Sequence, residues 1–217
     1  AFPPAHWPMH ALPEDIAKYK GVYDGGFEPI RRKRLARMKQ IGLVKPDVEL
    51  SRATDNWEKT PHKEWEIRNM EVYAAMVEHF DQSVGKLLKA VDRLGLSDRT
   101  IVVFASDNGG STYDHIDGHP VTSNAPLRGG KAQIYEGGLR VPVVVVWPGH
   151  VEPKSRSHAL LNSTDWFPTL IDMLDLESPQ DHLFDGVSQV PALLGNEMPR
   201  TSVIGYVPHY FPLPQTI

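Results

Sequence analysis

The 217 residues carry 23 Lys and Arg against 27 Asp and Glu, a net charge of −4, with 41% apolar residues and no cysteine. That balance gives a globular core and no basic surplus, which argues against a nucleic-acid binder. Without cysteine, disulfides and thiolate metal sites are excluded within these residues. The chain opens on Ala-Phe-Pro-Pro-Ala-His with no Met. It is read as an internal piece of a longer protein, so these residues do not test for a leader.

Residues 1–15 are rich in Pro and His and are expected to form a loop entering a site, followed by a short helical turn over Asp15–Tyr19. Glu28–Ile41 is basic, with Ile30, Leu35, Met38 and Ile41 at loose helical spacing and Gly42 as a stop. Residues 45–63 are polar and read as a surface connection. The clearest helix is expected from about Lys63 to Leu94, with apolar residues from Tyr73 to Val91 at the 3.6 period and Gly95 closing it. Thr100–Ala105 and Val141–Trp147 are unbroken β-branched and apolar runs. They are expected as strands buried on both faces, Pro142 sitting at the start of the second. The longest apolar stretch, Leu139–Trp147, is too short to span a bilayer. A further helix is expected from Ser163 or Thr164 to Leu174. Helices alternating with buried strands imply an α/β fold with a mainly parallel sheet sandwiched by helices.

Ser106-Asp107-Asn108-Gly109-Gly110 follows the first strand directly. Ligands of open α/β sheets sit outside the carboxyl ends of strands. The Asp107 carboxylate and the Asn108 amide oxygen are hard donors suited to Ca²⁺ or Mg²⁺. Seen alone, the same residues also read as a simple turn. Arg128 and Lys131 lie on a glycine-bearing loop able to hold a tetrahedral oxyanion. It is not a phosphate loop of the Walker type, because Ala125 and Ala132 occupy two defining positions. A solvated surface loop is the other reading. His115 and His119 follow in a loop that either borders a substrate pocket or is simply exposed.

In order, these motifs resemble those of the formylglycine-dependent (type I) sulfatases of the alkaline phosphatase superfamily. They are a Pro-rich His segment, Tyr-Ala-Ala-Met-Val-Glu, Ser-Asp-Asn-Gly, Pro-Leu-Arg-Gly-Gly-Lys, Glu-Gly-Gly-Leu-Arg-Val-Pro and Trp-Pro-Gly. Asp165-Trp-Phe-Pro-Thr-Leu and Asp185-Gly-Val-Ser188 continue the series. The resemblance implies an alkaline phosphatase-like fold and hydrolysis of aryl or carbohydrate sulfate esters. His6 matches the histidine at the sulfate and leaving-group oxygen, with Ala5 where the family usually has Pro. Asp107 and Asn108 match the downstream metal-ligand pair, for Ca²⁺ or Mg²⁺, and Lys131 the sulfate-binding lysine. Arg128, Glu136 and Arg140 fall in the same motifs and read as scaffold, Arg128 also as a substrate contact. Tyr206-Val-Pro-His209-Tyr210 resembles a segment near the substrate, which makes His209 a pocket candidate.

The family's formylglycine arises in a Cys/Ser-x-Pro-x-Arg motif. Neither that motif nor the upstream Asp-Asp pair occurs here. Both are expected upstream of Ala1, so the 217 residues alone are expected to be inactive. Residues 1–197 then form the downstream part of the catalytic domain, and 198–217 the start of a C-terminal subdomain or pocket segment. The resemblance also implies a periplasmic or secreted protein. A phosphate- or phosphonate-ester hydrolase of the same superfamily, or an inactive sulfatase-like binding protein, are the alternatives.

Overall fold

The computed structural model describes residues 6, 8–51, 56–112, 115–116, 119–120, 122–178, 183–196 and 202–203, with backbone alone at 115, 116, 119 and 120. Helix α1 spans Pro13–Ala17, α2 Glu28–Gln40 and α3 Lys63–Arg93. The 31-residue α3 matches the periodic segment within a residue or two. Its end is a Schellman cap: Gly95 takes φ 66°, its N–H bonds Asp92 O, and Leu96 N–H bonds Val91 O. Among the described residues no helix is long and apolar enough to cross a membrane.

Helix α1 sits on α3 through charge as well as the buried Ile16. Lys18 Nζ bridges Asp15, at 2.8 Å, and Glu78, at 3.1 Å. Tyr19 Oη donates to Glu78 at 3.3 Å, and His79 Nδ1 lies 3.6 Å from Asp15. The hydrogen bond from Lys18 holds the Asp15 carboxyl below its ordinary value. The 45–63 connection, expected as plain surface, contains a 3-10 turn over Trp57–Lys59. Its Trp57 packs where Gly26, at φ 83°, has no side chain: a Cβ there would stand 2.5 Å from the indole Cγ.

Strand β1 is Val102–Ala105. The two-residue strands β2, His115–Ile116, and β3, His119–Pro120, pair antiparallel. Helix α4 is Glu136–Leu139 and strand β4 Val143–Val146. Contrary to the parallel expectation, β1 and β4 pair antiparallel, with Val102 opposite Val146 and Ala105 opposite Val143. A parallel return needs a crossover that carries the chain to the other end of the sheet, usually a helix. Among the described residues the only helix between these strands has four residues, and β2 and β3 turn back on each other. Pro142 O accepts Ser106 N–H at 3.3 Å, so β4 starts where β1 stops. Pro142 itself stands just outside the ladder, as its missing N–H requires.

The expectation of two buried faces also fails among the described residues. Phe104 is 43% exposed and Val144 54%. Phe80 of α3 meets Phe104 at 5.9 Å. The apolar positions of α2 are likewise at most half-buried; none is a core residue.

Helices α5, Trp166–Met173, and α6, Val190–Leu193, are the last elements among the described residues. Asn162 caps a 3-10 turn over Ser163–Asp165 that leads into α5, with a reciprocal capping box to Asp165. Asp165 is fully buried. Its carboxylate accepts from Asn162 N at 2.8 Å, Val187 N at 2.9 Å and Gln189 Nε2 at 3.0 Å.

Candidate active site

The site is assembled from loops at the carboxyl end of β1. Three glycine-bearing segments approach backbone to backbone. Gly109 N–H donates to Gly138 O at 3.0 Å, Lys131 N–H to Gly110 O at 3.0 Å, and Gly137 N–H to Arg128 O at 2.8 Å. No side chain fits between them. A Cβ on Gly109 would stand 1.7 Å from Gly137 O, and one on Gly137 2.1 Å from Gly129 O. The glycines of the three motifs are therefore spacers that let main chain meet main chain.

Two amide side chains lock this cluster. Asn124 Oδ1 accepts Gly110 N–H at 3.1 Å, and its Nδ2 donates to Gly110 O at 2.9 Å and Gly129 O at 3.0 Å. Gln133 Oε1 accepts Gly130 N–H at 2.9 Å. Both flank the sequence motifs without belonging to their named chemical candidates. The neighbours of Asn124 in space, Gly110 and Gly129, are what reveal it as a bracket.

On this frame stand the chemical candidates. Lys131 is half-buried, and its Nζ lies 2.9 Å from Nε2 of His6, across 125 residues of sequence. With the ammonium donating, His6 Nε2 accepts, which sets the proton-free nitrogen toward Lys131. The residue after Lys131, Ala132, is in the left-handed region at φ 66°. Asp107 is exposed immediately beyond β1, and Asn108 is half-buried. Asp107 Oδ1 accepts Asn108 N–H at 3.0 Å, and Ser106 Oγ donates to Asn108 O at 3.0 Å.

Arg128 stacks on a ring of the neighbouring motif. Its guanidinium lies 3.8 Å over the Tyr135 ring, a cation–π contact that pins the loop from outside. Glu136 at the start of α4 and Arg140 just past its end, both exposed, pair with each other at 3.2 Å. His115 contributes backbone to β2, and its side chain is outside the described residues, as is all of His209.

As metal donors, Asp107 and Asn108 suit a hard divalent cation by chemistry, yet they supply only part of the roughly six to eight oxygens Ca²⁺ takes. Among the described residues no group of three or more His, Asp or Glu gathers to complete such a shell.

The sulfatase family profile matches residues 5–176. An uncharacterized sulfatase of Schizosaccharomyces pombe is 31% identical over 225 residues, 85% of this chain and 40% of its own length. Mouse N-acetylgalactosamine-6-sulfatase is 35% identical over 134 residues, 62% of this chain and 25% of its own. Rat steryl-sulfatase is 38% identical over 130 residues, 57% of this chain and 22% of its own. The crystal structure of Ps i-CgsB superposes with a TM-score of 0.58 at 27% identity, covering 89% of this chain and 32% of that one. The same protein in complex with k-i-k-neocarrahexaose gives 0.57. The chain thus spans well under half the length of these relatives. With the profile covering most of its residues, and the site loops lying inside the match, the chain belongs to the sulfatase family.

Proposed function

We propose that this chain is part of an enzyme that hydrolyses sulfate monoesters, with sulfated glycans as the substrate class. The observation that carries the reading is the His6–Lys131 pair, a base and an ammonium joined at 2.9 Å on a rigid loop frame. Ester cleavage puts negative charge on the bridging oxygen and keeps it on the sulfate oxygens. The Lys131 ammonium stabilises that charge from a fixed position. An ester oxygen entering between the two side chains takes over the hydrogen bond from Lys131. The His6 imidazole is then able to hold a proton at Nε2 facing the leaving oxygen. Asp107 and Asn108 are the residues that would hold a Ca²⁺ or Mg²⁺ ion, which when bound draws charge from the sulfate oxygens. The nucleophile in this reading is a formylglycine outside these 217 residues. The glycan assignment is supported by two relatives: one named for N-acetylgalactosamine-6-sulfate, the other crystallised with a hexaose.

The test is steady-state kinetics on Lys131→Ala and Asp107→Ala in the full-length protein, across a calcium titration and beside thermal melts. Lys131→Ala should lower kcat about a hundredfold or more, with an unchanged melt and no rescue by calcium. Asp107→Ala should lose activity that added calcium partly restores. A Lys131→Ala protein with wild-type kcat would remove the reading's main support.

A further inference from the structure

Helix α2 departs from the charge balance of the chain. Six of the 23 Lys and Arg residues fall among its thirteen residues, against one of the 27 Asp and Glu. It buries no residue, so an apolar face does not account for it. Glu28 neutralises part of one side, pairing with Arg31 at 2.6 Å and Arg32 at 3.1 Å. Lys33, Arg34 and Arg37 remain exposed. Lys33 and Arg37 are one turn apart, a like-charge spacing that works against the helix.

The helix is nevertheless held in place from outside. Arg31 donates to Ser51 O at 2.6 Å and Ser51 Oγ at 3.0 Å. Arg156 donates to Gly42 O at 2.9 Å and Leu43 O at 3.0 Å, just past the helix end. Between α2 and the Leu50–Ser51 strand of chain lies a groove of about 420 Å³, lined in part by Arg32, Lys39 and Ser51. That volume is in the range of small-ligand sites. Leu35, Ala36 and Leu50 give the groove an apolar floor, and its rim carries Arg32 and Lys39 against the one carboxylate of Glu28. A self-repelling cationic helix beside it is matched by an anion carrying many charges on an apolar frame.

We propose that α2 and this groove form an additional binding surface for sulfated polysaccharide. The proposal rests on the sulfatase reading above for its choice of polyanion, and not for the existence of the surface. Guanidinium groups match two oxygens of a sulfate group at once. Several weak ester contacts along one polymer add up. Nucleic acid fits less well: α2 has no aromatic residue on which a base would stack.

The experiment measures binding of fluorescein-labelled dextran sulfate to the full-length protein, by anisotropy over a NaCl series. Wild type is compared with a quadruple variant, Arg32→Gln, Lys33→Gln, Arg34→Gln and Arg37→Gln. The variant should bind about tenfold or more weakly, with a salt slope shallower by about three. Uncharged dextran should not bind, and turnover of a small aryl sulfate should stay within about twofold of wild type. Lys33→Gln alone, which removes no ion pair, should show a smaller loss and guards against misfolding of the quadruple variant. Equal affinity of both variants and wild type for dextran sulfate would overturn the proposal. So would affinity for duplex DNA of matching charge equal to that for dextran sulfate. Because binding is read without turnover, a protein that binds through α2 yet cleaves no sulfate ester would refute only the catalytic reading.

Discussion

The chain joins distant segments in two different ways. Around Lys131 the joints are main chain against main chain, with glycine at each point of approach and amide side chains as brackets. Around Asp165 the joint is one buried carboxylate that gathers three donors from two segments. The first arrangement leaves Asp107 exposed beyond β1 and brings the side chains of Lys131 and His6 together. The second uses up its polar atoms on the protein itself. A buried carboxylate is a good clasp where no chemistry is needed. Where charges must face an anion, a scaffold made of backbone keeps competing carboxylates out of the way.

Substitutions can break each joint separately. The largest effect is expected for Gly109→Ala, whose methyl would collide with Gly137 O. The loops must part, costing about 4 kcal/mol and nearly all activity. A melt equal to wild type would show that the backbone contact is not what holds the site. Asp165→Ala strands the donors of Asn162, Val187 and Gln189 and should cost about 3 kcal/mol. Here the folded fraction, assayed below the lowered melting temperature, should keep its kcat; a fall in kcat would tie this node to the site. The smallest effect is expected for Ala132→Gly. Relief of the left-handed strain at φ 66° outweighs the added chain freedom, raising stability by about 0.5 kcal/mol. A lower melting temperature would mean that the Ala132 methyl packs usefully.

The same contrast explains what the sequence made legible. α3 is legible because a 3.6 period ending at a glycine has one physical reading. Both strands are legible as strands, since four consecutive β-branched or aromatic residues suit nothing else. Their antiparallel pairing is not, because an apolar run carries no direction; that was decided by a connection folded back through glycine loops. Asp107, Asn108, Lys131 and His6 stand out by residue type. Only the structure shows His6 and Lys131 touching and Arg128 turned onto Tyr135. Asn124 is silent in sequence because an asparagine before Ala-Pro satisfies an ordinary turn equally well.

The seat of α1 on α3 has a consequence for chain entropy. A direct encounter of His6 with Lys131 closes a loop of 125 residues around an exposed hydrogen bond. That is a poor exchange for so long a closure. Lys18 and Glu78 are only 60 residues apart, and their contact comes with the ion pairs and apolar burial of α1. Once α1 is seated on α3, the remaining closure between His6 and Lys131 is shorter. The imidazole is then delivered by a tether, and its local concentration at Lys131 is set by how firmly α1 is docked. Weakening Asp15, Lys18 or Glu78 would dilute His6 from the site while leaving the loops themselves intact.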